Sequence, residues 1–418
     1  MSAPGSAAGS PSGAVEEPEG GSSEGPTIAS AGSIDRDELI AIGRAAGLAA
    51  VGVTGAAVLE PARSVLTLRK RAGLAGEMQF TYRNPQRSTD PARVLPGARS
   101  LVAAAWSYGR WRRPEPVSGR LSAEVARYSW HDHYHDLEQA LQPMADHLVE
   151  RGYRARIVAD TNALVDRNVA WAAGIGWYGK NSNLLLPDAG SWFVLGAIVT
   201  DAELEPTGPP LDDGCGACNQ CIEDCPTDAI IAPGVVDATR CLAWIVQAGG
   251  SIPIEYRAAI GNRIYGCDDC QVVCPPNRAL DRETAPGNTI GADQEAGPVA
   301  ERERAWVEVD WLLSASDDQI IERHGRWYIA DRNVDFIRRT ALVVLGNTAE
   351  PAIPDVDAIL TRYLASDRPL LRAHAVWAAR RLGRSDLLTA IVTDPDPAVS
   401  AELATAVEAR FQPSDWGR

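Results

Sequence analysis

The chain has 418 residues, 45% of them hydrophobic and 23% charged, a composition that excludes a fibrous, collagen-like or wholly disordered protein. At roughly 100–200 residues per domain, this length predicts two to four domains. The formal net charge of −15 argues against a surface that is basic all over for nucleic acid or membranes.

The N-terminal sequence predicts a tail and no export signal. Residues 1–33 are mostly Gly, Ser, Ala, Pro and Glu, so they cannot bury enough apolar surface to offset the entropy of ordering. No apolar stretch approaches the roughly 20 residues of a membrane helix. The N-terminus lacks a basic n-region, a twin arginine and an apolar h-region. We therefore expect a cytoplasmic protein that does not contact a membrane.

Residues 34–205 have the pattern of one α/β domain. A capped helix start at Asp35 precedes a short strand at 50–53. Apolar runs at 100–106 and 192–199 predict buried strands, and a long helix is expected between them, from about Tyr134 to Arg151.

The C-terminal part predicts helical repeats. A Pro/Gly/Asp linker at 206–213 leads into a cysteine-rich module, expected to span 206–285, and a connecting segment at 286–330. Related segments near Arg339, Arg372 and Asp394 then recur at about thirty residues. Units of this size predict HEAT-like helix pairs over 331–415. The alternative is an ordinary small helical bundle.

All eight cysteines fall within one short segment. The first run is Cys215-x2-Cys218-x2-Cys221-x3-Cys225-Pro, and the second is Cys267-x2-Cys270-x3-Cys274-Pro, with Cys241 alone upstream. This spacing is typical of ferredoxins with two 4Fe-4S clusters, in which the cysteine before proline binds the other cluster. The predicted ligands are Cys215, Cys218, Cys221 and Cys274 for cluster 1, and Cys225, Cys241, Cys267 and Cys270 for cluster 2. Two zinc sites are the alternative, although zinc ribbons use separated Cys-x2-Cys pairs.

The clusters need an electron acceptor, and the N-terminal domain offers candidate residues for its site. No Gly-x-Gly-x-x-Gly follows a strand, so a Rossmann-type dinucleotide site is not supported. Asp160, with Arg167 seven residues on, has the arrangement of a general acid beside a cation. Three glycines allow close approach of a flat cofactor, and the candidate cofactor-binding residues are Gly174, Gly176, Gly179, Lys180 and Asn181.

One stretch is basic within this acidic chain. Between Arg63 and Arg113 there are eleven Lys or Arg against two acids, which predicts phosphate contacts to RNA or to a cofactor. Solvated arginines without a partner are the alternative. Six arginines of the repeats are candidates to extend this surface: Arg338, Arg339, Arg372, Arg380, Arg381 and Arg384.

These motifs together resemble the epoxyqueuosine reductase family, from about Ile34 to the C-terminus. The resemblance is specific because it rests on many separate motifs rather than on one. They are Gly76-Glu77-Met78, Leu95 to Ser100, Ala126-Arg127-Tyr128, Tyr134-His135, Asp160 with Arg167, Gly174 to Asn181, both cysteine runs, and Gly261-Asn262-Arg263 with Tyr265-Gly266-Cys267.

The resemblance implies a multidomain α/β protein with a nitroreductase-like domain that binds cobalamin, a ferredoxin-like two-cluster module and an all-α HEAT-like end that helps hold tRNA. It implies that the clusters reduce cobalamin, which removes the epoxide oxygen of epoxyqueuosine at the wobble position of tRNA. Asp160 would then be the proton donor beside Arg167, with Tyr128 or Tyr134 in the pocket. An external flavodoxin or ferredoxin and a monomeric state are also expected.

The sequence departs from the family at two places that shape the pocket. Asn162-Ala163 stands where a small residue and a proline are usual, and Ser129 to His133 differs from the basic residues often found there.

Two alternative functions remain open for this sequence. A reductive dehalogenase would typically carry an export signal and lack repeats, and a non-catalytic electron-transfer protein would bind no corrinoid and tolerate loss of Asp160.

Overall fold

The computed structural model describes residues 34–109, 114–116, 118–187, 189–283, 305–349, 355–391 and 393–405. The tail predicted at 1–33 and three arginines of the basic stretch, Arg110, Arg112 and Arg113, lie outside these residues. Within the described ranges, no helix has the length and apolar character needed to cross a bilayer.

A four-stranded antiparallel sheet forms the centre of the N-terminal part. Its strands, in spatial order, are β1 (Ala50–Gly55), β2 (Ser100–Ser107), β7 (Phe193–Thr200) and β4 (Ala155–Ala159). Every residue of β7 is buried, as expected of a strand that is covered on both faces. The short strand predicted at 50–53 and the two strands predicted from apolar runs are thus confirmed to within two residues.

Helices cover both faces of this sheet. One face packs on α1 (Arg36–Ala45) and α5 (His133–Glu150), and the other on α6 (Asp166–Ala172). The Asp35 carboxylate caps α1 by accepting the Asp37 N–H at 2.9 Å. Shorter elements surround this core: α2 (Glu60–Arg71), α3 (Phe80–Arg83), α4 (Pro85–Ser88), β5 (Trp177–Tyr178) and β6 (Leu184–Leu185).

The cysteine module consists of short elements joined by tight turns. In chain order they are α7 (Gln220–Glu223), β8 (Ile230–Ala232), β9 (Val235–Val236), α8 (Leu242–Ile245), α9 (Ile254–Ile260), α10 (Asp269–Val272) and α11 (Pro275–Glu283). Because it has so little regular structure, the module can bury only a small apolar core of its own.

A second sheet joins three distant parts of the chain. Its central strand, β3 (Ser122–Val125), pairs in parallel with β10 (Arg263–Tyr265) and antiparallel with β11 (Trp306–Glu308). The largest core cluster runs from Leu121 through the cysteine module to the C-terminal helices. This core therefore extends across the predicted segment boundaries at 205 and 285.

The C-terminal helices are α12 (Val309–Ser314), α13 (Asp317–His324), α14 (Asp335–Thr348), α15 (Val356–Leu364), α16 (Pro369–Arg381) and α17 (Pro397–Ala404). Helix α16 packs against α14, α15 and α17. Arg338, Arg339 and Arg381 are buried there. The prediction that these three extend a basic surface is wrong, because their aliphatic stems and guanidinium groups fill the interior between helices.

Candidate active site between the sheet and the cysteine module

One cavity of about 480 Å³ lies between the N-terminal sheet and the cysteine module. We call it the central cavity. The start of β7 forms one wall through Phe193, Val194 and Leu195, and the α8 segment around Trp244 forms another. A mostly apolar space of this size, with a few polar groups converging on it, is typical of a cofactor or substrate site.

The central cavity brings together residues that the sequence predicted for two different purposes. Tyr128, Tyr134, Arg167 and Asn181 line it. The four cysteines predicted for cluster 2 line the same space: Cys225, Cys241, Cys267 and Cys270. The predicted electron source and the predicted pocket residues thus share one cavity.

The two candidate tyrosines occupy different surroundings. Burial raises the pKa of Tyr134, as do the neighbouring charges of Asp166 and Asp160. Burial also raises the pKa of Tyr128, whose hydroxyl is hydrogen-bonded to Tyr265. Tyr134 is therefore the tyrosine associated with the carboxylates, and both phenols stay protonated at neutral pH.

Asp160 directly follows β4 and takes a positive φ of 44°. It does not line the central cavity; its side chain lines a small adjoining cavity, whose wall also includes Asp166 and Leu195. Although Asp160 is exposed, partial burial of its carboxyl and the charges of Asp166, Asp132 and Glu138 raise its pKa. A raised pKa keeps a larger fraction of the carboxyl protonated, as a proton donor requires.

Asp166 was missed by the sequence analysis. It begins α6, lines both cavities, and accepts the Arg167 N–H on Oδ1 at 2.7 Å. Burial raises its pKa, and the charge of Arg167 opposes that change. An aspartate at a helix start is usually explained by the helix dipole alone. In the sequence, the position of Asp166 next to Arg167 was the signal that could have identified it as a site residue.

The structure gives the three candidate glycines a packing role. A Cβ on Gly174, which has φ +72°, would lie 2.8 Å from the Pro209 carbonyl oxygen, and one on Gly176 would lie 2.5 Å from that of Leu185. A Cβ on Gly179 would meet the Leu185 side chain. None of the three lines the central cavity. The contacts shown for the three glycines are packing contacts, and their role in binding a cofactor stays a prediction.

The next two candidates hold the cysteine module in place. Lys180 Nζ donates to the Gly216 carbonyl at 2.8 Å and to Asn219 Oδ1 at 2.9 Å. Asn181 Nδ2 donates to the Cys270 carbonyl at 3.1 Å. Of the five candidates, only Asn181 also lines the central cavity.

None of the eight cysteines forms a disulfide. Burial, followed by the nearby thiols of the predicted cluster 1 set, raises the pKa of Cys274 to about 11. Among the cluster 2 set, Cys241 lies near both Cys225 and Cys270. The exchange of the cysteines that precede proline between the two clusters stays a prediction.

Backbone N–H groups point at the sulfur atoms. The Ala229 N–H donates to Cys225 Sγ at 3.2 Å, and the Ala243 and Trp244 N–H groups donate to the Cys241 sulfur. Such donors stabilise the thiolate, which is the form that binds iron. The donor set therefore fits two iron-sulfur clusters.

Two family models match the chain. A 4Fe-4S double cluster binding domain matches residues 214–277, and a model described as epoxyqueuosine reductase QueG, DUF1730, matches residues 88–161. The first match favours iron-sulfur clusters over the zinc alternative.

Curated relatives and solved structures agree with these matches. The chain is 33% identical to the epoxyqueuosine reductase of Bacillus subtilis, over 89% of this chain and 91% of that protein. It is 34% identical to the Xanthomonas campestris enzyme, over 82% and 94%. A crystal structure of an epoxyqueuosine reductase with an epoxyqueuosine-modified tRNA stem loop aligns at a TM-score of 0.75 and 30% identity, covering 88% of this chain and 96% of that one. The chain therefore belongs to the epoxyqueuosine reductase family.

Proposed function

We propose that this protein reduces the epoxide of epoxyqueuosine at the wobble position of tRNA to queuosine, using electrons that pass through two 4Fe-4S clusters to cobalamin. The observation that carries the proposal is the central cavity, which is lined by the cluster 2 cysteines and by Tyr134, Asp166 and Arg167. The names of its relatives and the tRNA stem loop held by one of them support the same reaction.

The walls of the central cavity, with apolar and polar side chains, fit a large cofactor that has a flat ring and polar groups at its edge. Residues 181–184 and 193–195 line the side formed by the α/β domain, and they are the residues that would hold it. When bound, cobalamin supplies a cobalt centre able to deliver electrons to a carbon–oxygen bond. The polypeptide contributes binding, orientation and protons.

Loss of the epoxide oxygen as water consumes two electrons and two protons, and it leaves an alkene. As the carbon–oxygen bonds break, negative charge develops on the oxygen. Asp160, with its raised pKa, delivers a proton to that oxygen. Arg167 stabilises the developing charge, and Asp166 favours the protonated form of Asp160. In one relative, from Bacillus subtilis, a catalytic aspartate loop was found swung out of the active site, which fits an exposed Asp160.

We assign the parts of the chain as follows. Residues 34–205 form the nitroreductase-like cobalamin domain, and 206–285 the ferredoxin-like module. Residues 286–330 are assigned as a connecting segment and 331–415 as HEAT-like repeats that help hold tRNA; within these ranges, 286–304, 350–354, 392 and 406–415 lie outside the described part of the chain. The packing of α16 against three other helices supports the repeats. A cytoplasmic location, a monomeric state and an external flavodoxin or ferredoxin as reductant complete the proposal.

The test is conversion of the modified nucleoside. The protein is purified without oxygen, its clusters are reconstituted, cobalamin and a chemical reductant are added, and epoxyqueuosine-containing tRNA is followed by nucleoside mass spectrometry. We expect conversion by the wild type and a loss of about 10²- to 10⁴-fold in Asp160→Asn, as for removal of a general acid.

Asp355→Asn is the matched control, since Asp355 is another exposed aspartate with positive φ and does not line the cavity. It should retain full activity. No conversion by wild type with both clusters intact would refute the function. An inert wild type that binds no corrinoid would instead favour the electron-transfer alternative.

A further inference from the structure

Three aromatic rings from separate segments meet at the central cavity. They are Phe80 of α3, Trp244 of α8 and Tyr328, which follows α13. The ring centroids lie 5.0 Å apart for Phe80 and Tyr328, 6.2 Å for Phe80 and Trp244, and 6.1 Å for Trp244 and Tyr328. Phe80 and Trp244 line the cavity, whereas Tyr328 is 38% exposed. The cluster therefore runs from the cavity to the surface.

Two features of these rings are unfavourable if the rings serve only to pack against one another. Phe80 has a φ of 22°, a backbone conformation that a bulky residue rarely adopts and that is found mainly at functional sites. Tyr328 is a large aromatic residue that is 38% exposed, although a core role would bury it. Both features are explained if the rings receive a ligand.

Hydrogen bonds connect the exposed ring to the wall of the cavity. The Tyr328 N–H donates to Tyr265 Oη at 2.7 Å, and the Tyr265 hydroxyl is hydrogen-bonded to Tyr128. Tyr128 itself lines the cavity. A ligand on the rings would thus lie beside whatever enters the cavity.

Cationic side chains lie on the same segment as Phe80. Lys70 Nζ donates to the Tyr82 and Arg83 carbonyls, at 2.9 and 3.3 Å, and so holds the end of α3. Arg83 and Arg87 are exposed, and neither has an ion-pair partner in the described part of the chain. Aromatic faces next to unpaired cations are typical of surfaces that bind single-stranded nucleic acid, since bases stack and phosphates pair with the cations.

We propose that Phe80, Trp244 and Tyr328 form a stacking platform for an unpaired nucleobase of the RNA substrate, next to the nucleotide that enters the central cavity. This inference rests on the proposed function, because it takes the substrate to be an RNA loop. Stacking uses the face of the base, so the platform accepts any of the four bases. It fixes the path of the loop rather than its sequence.

The test measures binding of fluorescently labelled anticodon stem loops to the reconstituted protein. Tyr328→Ala should weaken binding by about 5- to 100-fold, the range for loss of one base-stacking ring. Tyr328→Phe keeps the ring and should bind as the wild type does. Phe80→Leu, which keeps apolar volume but removes a ring, should also weaken binding. Iron content and circular dichroism establish that each variant is folded.

A set of stem loops, each with one abasic position in the loop, identifies the stacked base. One of these abasic stem loops should bind the wild type as weakly as the intact loop binds Tyr328→Ala. The affinity of that abasic loop should be the same for Tyr328→Ala as for the wild type. If Tyr328→Ala weakens every abasic loop equally, or lowers corrinoid affinity while RNA affinity is unchanged, the platform is refuted.

Conversion of epoxyqueuosine is measured separately on the same RNAs. Intact conversion with no effect of the ring variants on binding would overturn the platform alone. Binding that depends on the rings, in a protein that converts nothing, would overturn the proposed function alone.

Discussion

Replacing Asp166 with asparagine should shift the pH dependence of epoxide reduction rather than abolish the reaction. The amide oxygen of asparagine can still accept the Arg167 N–H, now 2.7 Å from Asp166 Oδ1, so the start of α6 is preserved while one negative charge is lost. After burial, Asp166 is the foremost of the charges that raise the pKa of Asp160. Without it, that pKa falls.

The size of the effect follows from the charge that is removed. A like charge close to a carboxyl disfavours its ionised form and so raises its pKa. A general acid works in its protonated form, so activity declines as pH rises through its pKa. In Asp166→Asn this decline should begin at a lower pH, because the charge that raises the pKa of Asp160 is gone. On the declining limb the rate should fall below wild type, about tenfold for each unit by which the pKa moves, and at lower pH the two should be equal.

Single-turnover rates from pH 5 to 9, read by nucleoside mass spectrometry, measure this shift. Asp355→Asn serves again as the control and should follow the wild-type profile. A loss of activity in Asp166→Asn that is the same at every pH, or a limb that moves to higher pH, would refute the proposed coupling between the two carboxyls.

Three further predictions concern the clusters and the framework that holds them. Cys241→Ser should lose cluster 2 but keep cluster 1, so iron content and the electron paramagnetic resonance of the reduced clusters should fall by about half. Glu402→Gln removes the carboxylate whose oxygen lies 2.8 Å from the buried Arg257 guanidinium. Hydrogen exchange in α17 should then show a free energy of unfolding that is lower by about 3 kcal/mol. The decrease should be smaller in the double variant in which Arg257 is also replaced by methionine. Gly190 has φ +57°, and a Cβ there would clash with Asn277 Oδ1, so Gly190→Ala should lower the unfolding temperature. Gly55→Ala should not, because a Cβ at that position meets open space.

Local sequence patterns were sufficient for part of this protein. The cysteine spacing predicted a module with two 4Fe-4S clusters, and the match of residues 214–277 to a double-cluster domain confirms it. The assignment of individual cysteines to each cluster stays a prediction. Continuous apolar runs predicted the central strands β2 and β7, because a strand covered on both faces has no polar side.

Features that depend on tertiary packing were not predictable in the same way. Gly174 lies against the Pro209 carbonyl, which is 35 residues away in the chain. Arg339 looks like a surface cation in the sequence, yet it is 1% exposed and donates to the carbonyls of Ile245 and Ala248. Asp166 matters because two cavities meet at its side chain, and no local pattern encodes where cavities form.

The second sheet also has a consequence for how the protein assembles. Strand β3 finds its partners about 140 and 180 residues later in the chain, so until those strands arrive both of its edges are open templates for pairing with other molecules. Strand β10 ends at Tyr265, two residues before Cys267, which is one of the predicted cluster 2 ligands. If a cluster binds at Cys267 as predicted, its insertion fixes the chain next to β10. We therefore expect a cell starved of iron to accumulate more of this protein as aggregate than an iron-replete cell does.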